Sequence, residues 1–333
     1  MDFMSKRRYL HARGILLAAL LAVSVPSVGN AADQDFASWL QGLRADALGK
    51  GIRPETLDRA LKGLAPIPRV VELDRKQPEF SLTFEQYLAR VVPQARVDQG
   101  KARLKEHHEL LAEISKKYGV QPRFIVAFWG IESDFGRLDG GFSVIQSLAT
   151  LAYDGRRSTF FRGELIRALR IVDQGHIAPE TMRGSWAGAM GHFQFMPSTF
   201  ESYAVDYDGD GKRDIWANKR DAFASAANYL SKSGWKGDQT WGRAAKVPAG
   251  FNMSLVGLDT KKSLEEWQKL GVTRTDGGPL PIRADVSASL VLAEGTKGPA
   301  FLIYDNYRVT LKWNRSTFFA VAVGTLAERI GDS

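Results

Sequence analysis

The chain has 333 residues, 44% hydrophobic and 25% charged, a balance that suits an ordinary soluble globular protein of one large or two modest domains. It contains no cysteine, which excludes disulfides, a lipidated N-terminal Cys and a Cys nucleophile. The formal charge is +8; Lys6, Arg7, Arg8 and Arg13 against a single Asp leave +5 once residues 1–32 are set aside, and no Lys/Arg tract argues for nucleic acid. That mild excess reads as solvated surface, with attraction to an acidic substrate or envelope surface as the functional alternative.

The first 32 residues read as a secretory signal peptide. Lys6, Arg7, Arg8 and Arg13 precede an apolar run at 14–25, followed by Pro26 and the small residues Gly29, Ala31 and Ala32, with cleavage after Ala31 or Ala32. The apolar run is too short for a comfortable membrane span. The expectation is a periplasmic chain, exported and soluble, with no stable membrane anchor after cleavage; an uncleaved anchor is the alternative.

From 33 to 118 the pattern predicts an N-terminal helical region. Segments near 35–48, 54–63, 81–92 and 96–118 carry apolar residues at three- and four-residue spacing, such as Leu104, Leu111 and Ile114, punctuated by Gly51, Pro66, Pro68, Pro78 and Pro93. Tyr118-Gly119 ends this pattern and Pro122 opens a new helix, where its missing N–H is harmless. The stretch 124–136 reads FIVAFWGIESDFG. On a helix, Glu132 shares a face with Trp129, Phe128 and Ile125, and a carboxyl held against rings resists ionising, as a general acid requires. The same spacing fits a Glu at a helix end, solvated or paired with Arg137; these residues alone leave both readings open.

Gly136, Gly140 and Gly141 mark a loop, and helical pattern returns at 143–153 and 159–172. The stretch 184–198, GSWAGAMGHFQFMPS, combines Gly184, Gly188 and Gly191 for close backbone approach or unusual dihedrals with the flat faces of Trp186, Phe193 and Phe195 and the neutral polar groups of Ser185 and Gln194. Such a set suits a groove for uncharged sugar rings; taken by itself, the stretch reads more plainly as a tightly packed helix–loop–helix. Helices are expected at about 198–205 and 220–233, flanking an acidic loop. In that loop Asp206, Asp208, Asp210 and Gly211 match positions one, three, five and six of an EF-hand, Lys212 offers its backbone at seven and Asp214 sits at nine. Position twelve is Ala217 and the next acid is Asp221, so the loop would be lengthened around a structural Ca2+; an acidic Gly turn is the plainer reading. Runs at 286–292, 300–304 and 308–313 predict a small β unit within 246–313, and 314–333 closes the chain as a helix with Phe318, Val321 and Leu326 on its apolar face. G-x-S-x-G, Walker A and H-E-x-x-H motifs are absent, and the five histidines show no ligand spacing.

Taken together, Gly130-Ile131-Glu132-Ser133, Arg156-Arg157, the run from Gly184 to Gly191, Gln194 to Ser198, Tyr203 to Asp206, Ala227-Asn228-Tyr229 and Asn314-Arg315-Ser316 resemble the membrane-bound lytic transglycosylase B family, glycoside hydrolase family 103. The likeness covers essentially the whole chain after the signal, in the same order. It implies a mainly α (α+β) protein: a lysozyme-like catalytic core at 119–245 that carries the EF-hand-like loop, with the N-terminal helical region and small β unit around it. It implies cleavage of the MurNAc–GlcNAc β-1,4 bond of peptidoglycan without water, giving a 1,6-anhydro-MurNAc end, with Glu132 as acid and then base. A hydrolase needs a second carboxylate. Asp134, two residues on, points away on a helix; Asp139 and Asp154 stay open, as does a hydrolytic muramidase or a peptidoglycan-binding protein without catalysis. The resemblance places Ser185, Gln194, Tyr229 and Asn314 along the glycan cleft and sets Arg156 and Arg157 to meet peptide or lactyl carboxylates; surface charge and a helix N-cap are the plainer roles for the arginines and Asn314. It implies peptidoglycan glycan strands as partner, with cell-wall synthesis or remodelling proteins beyond. Trp313 departs from the family, which often has Tyr there, and puts a hydroxyl contact in doubt.

Overall fold

A computed structural model describes residues 31–76, 82–138 and 140–331, so the signal-like stretch 1–30 lies outside the described residues. Six helices come first: α1 (Ala31–Gly49), α2 (Pro54–Ala60), α3 (Pro68–Arg75), α4 (Phe84–Val91), α5 (Gln94–Glu106) and α6 (His108–Tyr118). Their ends follow local chemistry. Proline opens α2 and α3, Thr83 and Gln86 form a reciprocal capping box on α4, and Gly119, at φ 70°, ends α6 in the left-handed region. The segment expected at 96–118 is two helices, divided at His107, which closes α5 and opens α6. Helix α3 was not anticipated from sequence; only eight residues long, it starts directly on Pro68.

The central helix is α7 (Pro122–Ser133), and every residue from Phe124 to Gly130 is buried. A helix apolar on all sides belongs inside a bundle, and α5, α6, α11 (Lys219–Lys232) and α14 (Thr317–Gly331) pack around it. Between α7 and α11 lie β1 (Phe142–Ser143), α8 (Val144–Asp154), α9 (Ser158–Asp173), β2 (Arg183–Gly184) and α10 (Pro197–Tyr203), with β1 and β2 paired antiparallel. Near the middle of α14, a Cβ on Gly324 would fall 2.2 Å from the Trp241 ring, so glycine is what lets this helix close on the core.

A second, smaller hydrophobic cluster around Leu264, Trp267 and Leu290 belongs to a four-stranded antiparallel sheet in the order β3 (Gly242–Ala245), β6 (Ala300–Ile303), β5 (Ser287–Leu292), β4 (Lys262–Ser263). Register is set by Arg243 opposite Leu302 and Leu290 opposite Leu302, and α12 (Leu264–Lys269) caps the unit with Trp267 donating to the Ala288 carbonyl. The sheet therefore takes in 242–245, ahead of the expected start at 246. A larger correction concerns 308–313, expected as a strand: it is the second half of helix α13 (Asp305–Trp313). Asn306, fully buried, fixes that helix by bonding Lys236 and Gln239 backbone groups, and the alternation of Val309, Leu311 and Trp313 does not prevail against it. The closing helix starts at Thr317, with Ser316 accepting from the Phe319 N–H, so Ser316 and not Asn314 caps it. The protein is thus mainly helical with small antiparallel sheets, and among the described residues no helix is long and apolar enough to cross a membrane.

Candidate active site

Glu132 sits on the last turn of α7 and is partly buried. Its Oε1 accepts a 2.7 Å hydrogen bond from the Trp313 indole N–H, across 181 residues of chain. Burial pushes the carboxyl up to about 8, and the Trp313 bond, which favours the charged form, opposes that only in part. The indole is itself wedged: its ring centroid lies 4.7 Å from Phe128, 4.7 Å from Tyr229 and 5.4 Å from Phe195. Of the rings expected on the acid's face, Phe128 packs on the Trp313 indole and Trp129 turns to His192, while Trp313, read from sequence as the end of a strand beside Asn314, is the ring in direct contact. The missing hydroxyl at this position is replaced by an N–H donor.

Glu132 opens onto a cavity of about 360 Å3 shared with Tyr87, Arg90, Arg96, Ile131, Asn314 and Phe318. It is the sole carboxylate among the described lining residues. Tyr87, Arg90 and Val91 escaped the sequence reading; their i, i+3, i+4 spacing marks one face of α4, but nothing local says which part of the chain that face meets. Two of the acids considered as a second carboxylate are engaged elsewhere. Asp134, left-handed at φ 52°, pairs with Arg96 at 3.5 Å and with Arg137, and Asp154 pairs with Arg75 at 3.0 Å. Asp139 lies outside the described residues.

The 184–198 stretch forms a short hairpin. Met190 and Phe195 exchange two backbone hydrogen bonds of 2.9 Å, which leaves Gln194 on the turn at φ 49° with its amide donating to the Gly191 carbonyl. A non-glycine residue in that region is strained and needs support from its surroundings. Support comes from Phe193 and Phe195 on either side, both against Trp313. Gly191, at φ 68°, lies so close to Ile215 that a Cβ would meet its carbonyl oxygen at 2.5 Å, as the glycine pattern anticipated. Ser185 Oγ accepts from the Ala187 and Ala189 N–H groups at 3.3 and 3.0 Å and so shapes the loop before the hairpin. Ser133, next to Glu132, donates to the His192 carbonyl at 2.6 Å and locks the acid's helix to the hairpin. Tyr229 reaches this wall from α11, tilted against Tyr203 at 4.5 Å and edge-to-face with Trp313 at 4.7 Å. Exposed Asn314 follows α13 and accepts from Ser316 N–H at 3.0 Å.

Arg156 and Arg157 have a different immediate task from the one expected. Both hold the carboxylate of Asp74, a residue only 2% exposed on α3, and Arg156 also donates to its carbonyl at 2.8 Å. Burial works to raise the Asp74 carboxyl, and the two guanidiniums more than offset it, leaving the group below its ordinary value. A ligand carboxylate would have to share these arginines with α3.

In the acidic loop, Asp206, Asp208 and Asp210 are exposed and bring one oxygen each within 4.8 Å of one another. Three hard carboxylate oxygens suit Ca2+. Asp206 accepts from Gly209 and Gly211 N–H, and Asp210 from the Lys212 N–H. Asp214 and Asp221 stand apart from this trio and serve the backbone: Asp214 accepts from Trp216 and Ala217, and fully buried Asp221, its carboxyl pushed up by burial, accepts from Tyr207 and Asp214.

Residues 35–328 match the family described as "Transglycosylase SLT domain". The chain belongs to this family and is a homologue of lytic murein transglycosylases. It is 34% identical over 251 residues to membrane-bound lytic murein transglycosylase B of Escherichia coli strain K12, an alignment that covers 73% of this chain and 66% of that protein, just short of two thirds. Among solved structures it is similar to SltB3 from Pseudomonas aeruginosa in complex with NAG-anhNAM-pentapeptide, with a TM-score of 0.86 and 48% identity over 90% of this chain and 80% of that one. Escherichia coli Slt35 in complex with calcium matches with a TM-score of 0.74 and 28% identity, over 91% of this chain and 93% of that one.

Proposed function

We propose that this protein is a periplasmic lytic transglycosylase that cleaves the MurNAc–GlcNAc β-1,4 bond of peptidoglycan and leaves a 1,6-anhydro-MurNAc end. The reading rests on one observation above all: a carboxyl pushed up to about 8, ringed by aromatic side chains, is the only carboxylate on its cavity among the described residues. At neutral pH it carries a proton. Glu132 gives that proton to the glycosidic oxygen as the C1–O bond breaks and its electron pair leaves with the GlcNAc hydroxyl. The C6 hydroxyl oxygen of MurNAc then bonds to C1, and its proton returns to the Glu132 carboxylate. No water and no second carboxylate are needed, whereas hydrolysis requires a partner to activate water.

In this reading Ser185, Gln194, Tyr229 and Asn314 line the glycan path, with Tyr229 and the hairpin aromatics offering ring faces and the amides and hydroxyls meeting N-acetyl and hydroxyl groups. Arg156 and Arg157 contribute through their hold on Asp74, with half-exposed guanidinium edges available to stem carboxylates. Asp206, Asp208 and Asp210 hold a Ca2+ that stiffens the loop, and Lys212, Asp214 and Asp221 shape it; the calcium complex of Slt35 and the oxygen trio support this. The ion's chemistry is structural, and the bond exchange falls to Glu132. SltB3, solved with NAG-NAM-pentapeptide as well as the anhydro product, supports glycan strands bearing stem peptides as the partner; partner proteins from cell-wall synthesis or remodelling fit the same setting.

Digestion of purified sacculi followed by mass analysis tests the reading. Fragments 18 Da lighter than the reducing muropeptides, lost in Glu132→Gln, are expected; reducing ends would make the enzyme a hydrolytic muramidase, and intact sacculi that bind the protein would make it a binding module.

A further inference from the structure

We propose that Trp313 is a positioning residue that assigns the two oxygens of Glu132 different jobs, Oε1 as a fixed anchor and Oε2 as the sole proton carrier. An indole nitrogen has one hydrogen and no available lone pair, so it donates only. With Trp313 Nε1 2.7 Å from Oε1, that oxygen accepts in both charge states of the acid and cannot carry its proton toward the ring. A carbonyl oxygen accepts more strongly than the hydroxyl oxygen of an acid, so the indole keeps Oε1 as the carbonyl and sets the proton on Oε2, for which no protein partner is found among the described residues, on a side chain that lines the cavity. Under the acid-then-base reading, on which this inference rests, Oε2 both releases and recovers the proton, and the carboxyl need not rotate between the two half-steps.

The anchor has little freedom to move. The indole is held between Phe128 and Tyr229, each 4.7 Å away, with Phe195 at 5.4 Å and Phe193 at 6.3 Å. Its helix, α13, is pinned by buried Asn306, which exchanges hydrogen bonds of 2.8 Å with both backbone groups of Lys236 and donates to the Gln239 carbonyl at 2.9 Å. The other groups sharing the cavity leave this role to Trp313. From α4 come Tyr87 and Arg90; from α5 comes Arg96, already bound to Asp134; Asn314 and Ser316 are neutral. Just past α7, Asp134 is spent on Arg96 and Arg137, and Tyr229 of α11 meets the indole through its ring.

The test uses the full processed chain and two kinds of variant. Trp313→Phe removes the donor; replacing Trp313 by benzothienylalanine keeps the bicyclic shape and exchanges the N–H for sulfur, which guards against a packing defect. Carboxyl-labelled glutamate followed by 13C NMR, with Glu132→Gln to assign the signal, should show the Glu132 titration moving upward by about one pH unit in both variants, the loss of one hydrogen bond to a charged group. The basic limb of kcat/KM should move by the same amount, with KM at pH 6 changed less than about twofold, while 5-fluorotryptophan, which retains the N–H, keeps the wild-type profile. A titration and a limb that stay in place, with any rate loss uniform in pH, would reduce Trp313 to packing and overturn the proposal. Because the titration needs no turnover, an upward move alongside a wild-type enzyme that yields no anhydro ends would keep the positioning role and remove the reaction.

Discussion

The Trp129 indole N–H donates to Nδ1 of His192 at 3.0 Å, joining the helix that carries Glu132 to the hairpin that carries Gln194. Because the indole only donates, His192 is neutral with its proton on Nε2. Burial, with Lys219 adding to it, pushes the imidazole down to about 4. The unfolded chain therefore binds a proton below about 6.5 that the folded chain refuses until about 4. The stability this group contributes is full above 6.5 and is lost as pH falls from there to 4, by on the order of 3 kcal/mol. His192→Gln, which keeps an acceptor but cannot charge, should lose less stability than wild type between pH 6.5 and 4 in guanidinium unfolding. Parallel pH curves for the two proteins would refute the assignment.

Glu132 gives the opposite slope. Its carboxyl is raised from 4.5 to about 8, so the folded chain keeps a proton that the unfolded chain releases. Its contribution to stability is fully present below 4.5 and disappears as pH rises toward 8. Glu132→Gln, unable to ionise, should match wild type near pH 4 and exceed it at pH 8, by on the order of 4 kcal/mol, while losing activity. Stability traded for a working acid in this way is common at active sites. Thermal unfolding of both proteins from pH 4 to 9 checks it; a constant difference would mean the acid is not held protonated.

The helix under Glu132 was legible because its reason is local, an apolar run opened by Pro122 after Gly119, while the choice of Glu132 as acid over a solvated or paired helix-end Glu came from the family resemblance. The Asp206, Asp208 and Asp210 trio was legible for the same reason, since alternate residues of one turn must converge. Trp313 was not. Its bond to Glu132 spans 181 residues, and its segment alternates in a way that suits a strand until Asn306 is seen binding the 236–239 turn. Nor could Asp74 be matched with Arg156 and Arg157, since an acid on a short unrecognised helix carries no mark of its partners.

That Asp74 cluster should behave as a unit. The acid is buried while the arginine side chains are 50% and 42% exposed, so removing the acid leaves both arginines in reach of water and does not strand them. Asp74→Ala is expected to lower stability by about 1–3 kcal/mol, the scale of charge-assisted hydrogen bonds. Adding Arg157→Ala to it should cost less than that substitution does in the wild type, because the partner is already gone. Urea unfolding of the four proteins in the cycle gives the coupling; strict additivity would show that the arginines act independently of α3.

Calcium is best tested at Asp210. Asp206 accepts from two loop N–H groups, and Asp208 from Asp210 N–H and the Asn218 side chain, so changing either one alters the loop as well as its charge. Among the described residues Asp210 accepts only from the Lys212 N–H, a bond that an asparagine oxygen can keep. Three exposed carboxylates within 4.8 Å repel one another, so Asp210→Asn should leave the calcium-free protein as stable as before or slightly more so. Wild type should gain about 2.7 kcal/mol at a hundredfold excess of Ca2+ over its Kd, reversed by a chelator, and the variant should gain much less. Differential scanning calorimetry with and without calcium reads both effects. A wild type indifferent to calcium, or a variant that keeps the full increment, would return the loop to a plain acidic turn, its shape held by the bonds of its aspartates to the backbone.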